Sequence, residues 1–150
     1  LPDAEARVII QRYFERYAGV KGYIDRASEE ARRNGESRTL YGRVRAMPEI
    51  SARNPALRMA AERTAINTPI QGSAADLIKM AMIRVDREFA EAGMEARLIL
   101  QVHDELIVEA PEREAAGSER ILKEAMEGVA TLSVPLTVSV SRGKNWGEIH

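Results

Sequence analysis

His103, Asp104 and Glu105 stand together between two apolar, strand-like runs, Arg97-Leu98-Ile99-Leu100 on one side and Ile107-Val108-Glu109 on the other. The chain must reverse at His103-Asp104. Two-residue hairpin loops prefer Asn-Gly or Asp-Gly, because their central residues take positive φ. This reversal has no glycine and sets two carboxylates side by side, where like charges repel. A divalent cation makes the pair favourable, since Mg²⁺ takes carboxylate oxygens. A purely structural turn is the commoner explanation of so short a motif, so the pair on its own leaves both readings open.

Arg63, Asn67 and Gln71 form the second constellation. Their i, i+4, i+8 spacing puts them on one face of a continuous helix. All three donate hydrogen bonds, and the DNA minor groove offers acceptors common to every base pair. The competing reading is a polar outward face ending in a cap, and spacing alone favours it. Pro69, inside this stretch, is expected to break or kink the path.

Composition narrows the field. The chain has 150 residues, enough for one domain with a real core, and 45% hydrophobic with 30% charged residues is globular composition. No apolar run approaches the roughly twenty residues of a membrane span, and no secretory leader pattern is visible. With no cysteine and only His103 and His150, thiolate and multi-histidine metal centres are excluded, and with them a His-Asp metallohydrolase. The net charge of -1 conceals a division. Between Arg32 and Arg63 lie eight arginines (32, 33, 38, 43, 45, 53, 58 and 63) against three glutamates, whereas Asp104 to Glu127 holds eight acids against three bases. Arginine forks suit phosphate and base edges; a salt-bridged surface is the alternative.

The elements that must carry these residues follow from periodicity. Residues 3–18 read as a helix closed by Gly19, and a second from about Val20 to Arg33 stops at Asn34-Gly35. Glu36 to Met47 reads as a short hairpin or loop turning at Gly42. A helix is expected from Pro55 to Asn67, then a long amphipathic one bearing Leu77, Ile78, Ala81, Met82, Val85 and Phe89, ended by Gly93. After the 97–109 hairpin, Pro111 starts an acidic helix to about Gly128, and 136–140 alternates like a half-buried strand. The fold class is therefore α+β, helices packed on an antiparallel sheet.

Several stretches, in order along nearly the whole chain, resemble family A DNA polymerases. Glu62-Arg63-Thr64-Ala65-Ile66-Asn67-Thr68-Pro69-Ile70-Gln71-Gly72-Ser73-Ala74-Ala75-Asp76-Leu77-Ile78-Lys79 looks like the segment after that family's nucleotide-binding helix. Gln101-Val102-His103-Asp104-Glu105-Leu106 resembles its motif C in the palm, and Leu40-Tyr41-Gly42-Arg43-Val44-Arg45 its turn near the base of the fingers. Gly143 to His150 resembles the C-terminus of the bacterial DNA polymerase I type.

The resemblance implies roles residue by residue. Asp104 and Glu105 match catalytic acids, Asp104 being the metal ligand for two Mg²⁺ ions and Glu105 the supporting neighbour. His103 matches a residue near the primer terminus. Arg63, Asn67 and Gln71 match residues contacting primer and template on the minor-groove side, and Arg43 lies in a basic turn near the DNA backbone. Residues 1–50 would end the fingers and 51–150 form the C-terminal palm. Implied partners are primer-template DNA and deoxynucleoside triphosphates, with a monomeric, cytoplasmic, nucleoid-associated enzyme of replication or repair.

Two family features find no match. The second aspartate motif, resembling Asp-Tyr-Ser-Gln-Ile-Glu-Leu-Arg, does not occur, nor does the Arg/Lys/Tyr fingers helix, for which Arg12 to Tyr23 is a decoy with the wrong spacing. The chain opens at Leu1 in helix-like sequence and reads as a piece of something longer, expected to be inactive alone. The alternative is a non-catalytic DNA-binding module that kept the groove-contacting row.

Overall fold

A computed structural model describes residues 2–149; Leu1 and His150, the latter ending the C-terminal stretch quoted above, lie outside the described residues. The chain divides into two compact units, Leu1–Ser73 and Ala74–His150.

In the first unit, α1 spans Asp3–Arg16, with Asp3 and Glu5 in its first turn facing the positive end of the helix dipole. It stops at Tyr17 rather than at Gly19, and α2 (Ala18–Asn34) begins at once with Gly19 inside it. Gly35 closes α2 in the left-handed conformation at φ 69°, as its sequence predicts. A small antiparallel hairpin follows, β1 (Glu36–Arg38) against β2 (Val44–Ala46), with Ser37 opposite Arg45. A 3₁₀ turn at Pro48–Ser51 leads to α3, which spans Pro55–Glu91. Asn54 Oδ1 caps its start, accepting the Ala56 N–H at 2.9 Å. The core of this unit is Ala31, Met47, Ile50, Ala61 and Ala65.

The break expected at Pro69 does not occur: α3 runs without interruption through it. Two helices in the sequence reading are one in the structure, and the reason is in the side chains around Pro69, described below.

The second unit joins the C-terminal part of α3 to β3 (Arg97–Val102), β4 (Glu105–Glu109) and α4 (Ala115–Glu127), the last entered through a 3₁₀ turn at Glu112–Glu114. Ala81, Val85 and Phe89 of α3 pack with Ala96, Leu106 of β4, and Ile121 and Ala125 of α4; Leu98 and Val108 of the hairpin lie against them. Helices thus cover an antiparallel hairpin, the α+β arrangement read from the sequence. The Glu114 carboxylate accepts the N–H groups of Glu95 and Ala96 at 2.9 and 3.1 Å, fixing the entry to β3.

The strand expected at 136–140 is corrected. Its burial alternates as predicted, Leu136, Val138 and Val140 half-buried and Thr137 and Ser139 exposed, yet no ladder forms along it among the described residues. Period-two burial needs only an extended chain against a surface; a strand also needs a partner edge. Here Val138 N–H instead donates to a Glu127 carboxylate at 2.9 Å.

Candidate catalytic turn and nucleic-acid face

In the second unit, Val102 pairs with Glu105, so His103 and Asp104 are the whole loop of the β3–β4 hairpin. His103 takes φ 52°, the one positive φ at a non-glycine residue among the described residues. Left-handed backbone costs a non-glycine residue about 1–2 kcal/mol, and His tolerates it better than most. The turn is tied down by Gln101, whose Nε2 donates to the His103 carbonyl at 2.6 Å. A register shift between Leu98 and Leu100 marks a bulge near Ile99, a device that re-aims a hairpin. Leu106, next to Glu105, is buried in the core, and Arg97 pairs with Glu109 at 2.8 Å at the open end. The hairpin is thus anchored behind its tip, while His103, Asp104 and Glu105 are exposed at the tip itself.

Among the described residues no three His, Cys, Asp or Glu side chains converge as a metal cage. The donor chemistry still suits Mg²⁺, which is characteristically held by one or two carboxylates with waters and substrate phosphates completing its shell. Asp104 and Glu105 could furnish that carboxylate share.

In the first unit, Arg63, Asn67 and Gln71 are all exposed on α3. Because α3 is continuous, they occupy one flank, each step drifting by about 40° around the axis. Their opposite side is made of small and hydroxylated residues: Ala61, Ala65, Thr68 and Ser73 are buried. Arg43 lies past Gly42 in the β1–β2 turn, its main chain fixed by hydrogen bonds in both directions with Thr39. Part of the arginine cluster is the salt-bridged surface that charge alone suggested, since Arg32 pairs with Glu62 and Arg38 with Glu36, both at 2.6 Å.

The sequence reading missed the residues that hold this flank. Pro69 has no N–H, so the Ala65 carbonyl loses its helical donor; Ser37 Oγ donates to it at 3.2 Å instead. Tyr23 Oη donates to the next carbonyl, Ile66, at 2.7 Å. Burial pushes the Tyr23 phenol above the usual tyrosine range. Beyond the proline, Ser73 Oγ donates to the Pro69 carbonyl and accepts the Leu40 N–H, the latter at 2.9 Å. The only advance signal was Pro69 itself: a proline in helical sequence demands outside donors without naming them.

A family model described as DNA polymerase family A matches residues 1–148. The chain belongs to DNA polymerase family A. Among its relatives, the DNA polymerase I of Pseudomonas aeruginosa is 49% identical over 146 residues, which is 97% of this chain and 16% of that protein. The thermostable DNA polymerase I of Thermus aquaticus is 47% identical over 146 residues, 97% of this chain and 17% of that protein. The polymerase domain of Pol1 from M. smegmatis, solved in complex with DNA primer-template and dNTP, superposes with a TM-score of 0.96 at 44% identity, covering 99% of this chain and 26% of that one. This family A chain therefore spans about one sixth of the length of the curated relatives it matches. Among the described residues no helix is long and apolar enough to cross a membrane.

Proposed function

We propose that this chain supplies the motif C carboxylates and a primer-template contact face to template-directed DNA synthesis, by two-metal nucleotidyl transfer to a primer 3′-hydroxyl. One observation carries the reading: in a family A chain, Asp104 is displayed at a two-residue turn that the core anchors from behind.

Asp104 would hold Mg²⁺, with Glu105 as the supporting acid. When bound, two such ions neutralise charge on the attacking and leaving oxygens of an in-line displacement. The chain's own part is positional. A carboxylate on a short hairpin holds its geometry better than one on a mobile loop. The strained His103 backbone aims the adjacent side chains, and His103 would lie near the primer terminus. Arg63, Asn67 and Gln71 would follow the minor groove, whose acceptors are nearly independent of sequence, so that pair shape is checked without reading the bases. Arg43 would meet the phosphate backbone. Deoxynucleoside triphosphates and primer-template DNA are the substrates this reading requires, at work in a monomeric enzyme of the cytoplasmic nucleoid.

Primer extension by the full-length gene product tests it. Asp104→Ala should abolish extension at all Mg²⁺ concentrations while leaving duplex affinity within a few-fold, because it removes a metal ligand and no groove contact. Gln71→Ala should weaken productive primer positioning. Wild-type extension by Asp104→Ala would overturn the catalytic assignment.

A further inference from the structure

Pro69 lies between Asn67 and Gln71 on α3, and its consequences are met by residues distant in sequence. Ala65 is 0% exposed, so water does not serve the carbonyl that Pro69 leaves without a donor. Ser37 of β1 serves it, and Tyr23 of α2 serves the Ile66 carbonyl beside it. On the far side of the proline, Ser73 bridges the Pro69 carbonyl to the Leu40 N–H, and Gly72 lies against Thr39. The stretch from Ala65 to Ser73 is gripped along its inner side, while Asn67 and Gln71 stay exposed.

We infer that Tyr23 and Ser37 are positioning residues for the polar row: Ser37 replaces the donor that Pro69 lacks at the Ala65 carbonyl, Tyr23 adds a donor at the adjacent Ile66 carbonyl, and together they set Gln71 in register with Asn67 and Arg63. The inference rests on the reading of that row as the face that meets the primer-template minor groove. A proline turn with an uncapped carbonyl can close in several ways, by water insertion or by local tightening or loosening of the helix. A donor fixed on a neighbouring element selects one of them. Groove contacts need placement within about 0.5 Å, so selecting the helical closure selects whether Gln71 reaches its acceptor while Asn67 reaches its own. Neither hydroxyl needs to touch DNA.

The test uses the full-length gene product and a primer-template duplex with a matched or mismatched terminal pair, under single turnover. Tyr23→Phe and Ser37→Ala each remove one hydroxyl and little else. In the double variant the ratio of mismatched to matched extension should change by about tenfold, short of the roughly 100-fold that a 1 Å misplacement can cost. Ser37→Thr, which keeps the hydroxyl, should behave as wild type, and amide exchange across residues 66–73 should rise only in the hydroxyl-deleted proteins. Gln71→Ala separates the two levels of the argument. If it leaves discrimination unchanged, the row is not the groove face and that part of the functional reading fails. If Gln71→Ala alters discrimination and the double variant does not, the positioning role is overturned, including where the double variant merely melts at a lower temperature.

Discussion

Gly72 lies so close to Thr39 that a Cβ on Gly72 would stand 2.6 Å from the Thr39 Cγ2 methyl. Thr39 has little freedom to turn away: it is buried, and its Oγ1 accepts the N–H groups of Tyr41 and Arg43 at 3.3 and 3.1 Å. Two effects compete in Gly72→Ala. Helix propensity favours alanine by about 1 kcal/mol, and overpacking costs about 1–3 kcal/mol. The clash should win, with a net loss of about 1 kcal/mol seen as a lower urea midpoint at unchanged slope. Adding Thr39→Ser, which deletes the methyl and keeps the hydroxyl, should recover most of the loss. A Gly72→Ala midpoint at or above wild type would show that the contact is not tight.

His103 is the inverse case, a side chain where the backbone favours glycine. His103→Gly relieves a left-handed residue at φ 52° and should raise stability by about 1 kcal/mol. Under the functional reading it should also slow primer extension, because the group near the primer terminus is gone. Stability and activity moving in opposite directions is the signature of strain kept for function. Calorimetry and an extension assay on the same preparation check both halves. Loss of stability would mean that the histidine side chain contributes more to the turn than its backbone costs.

Tyr23 gives a pH dependence of definite sign. Burial raises its folded-state pKa above the unfolded value of about 10. The folded state then holds a proton that the unfolded state releases, so this contribution is fully present below about pH 10 and is lost as pH rises toward the folded value. Tyr23→Phe should be less stable than wild type at neutral pH, having lost its hydrogen bond to Ile66, but should lose less on going from about pH 8 to about pH 11. Urea midpoints at the two pH values measure the difference. Parallel losses in both proteins would mean that the phenol titrates alike folded and unfolded.

How much of this was legible beforehand depends on the range of the interaction. Gly35, the 97–109 hairpin and the acidic helix are local matters of turn chemistry and periodicity, and they lie close to where the sequence puts them. Pro69 was misjudged because the local rule is right about the lost donor and silent about its replacement. Ser37 is 28 residues from the carbonyl it serves and Tyr23 is 43 residues from its own, distances at which no pattern speaks. The 136–140 segment failed for a related reason: its alternation was visible, but a strand exists only by virtue of a partner. The candidate catalytic turn was legible because two carboxylates at a glycine-free reversal are conspicuous. The left-handed backbone there was foreseeable as a requirement, though its assignment to His103 was not.

The 150-residue chain by itself should not extend a primer. It carries the Asp104 turn without a second aspartate motif of the kind its family resemblance calls for, and under the proposed function two metal ions would be needed, one carboxylate turn being too few to hold both. Exposed apolar residues in the hairpin, Ile99 at 54% and Leu100 at 43%, should also make the isolated chain self-associate as its concentration rises. Extension assays with Mg²⁺, run beside sedimentation, report on both. Robust extension by the isolated chain would require a second metal-binding arrangement that Asp104 and Glu105 do not provide.

Salt separates the two kinds of DNA contact that the proposed function requires. Each phosphate neutralised by a cationic side chain releases condensed counterions, so log K falls with log salt by about 0.9 per contact on duplex DNA. Under the proposed function, Arg43 in the basic turn meets the DNA backbone. Arg43→Ala in the full-length gene product should therefore reduce the slope by about one unit and weaken matched and mismatched duplexes alike. Gln71 is neutral and releases no ions, so Gln71→Ala should leave the slope at wild type and act on the fit of the primer-terminal pair. Fluorescence anisotropy across about 50–200 mM salt resolves a one-unit change. An unchanged slope in Arg43→Ala would remove Arg43 from the phosphate contacts. A reduced slope in Gln71→Ala would mean that the α3 flank engages DNA through its charge, with Arg63 dominant and the hydrogen-bonding row secondary.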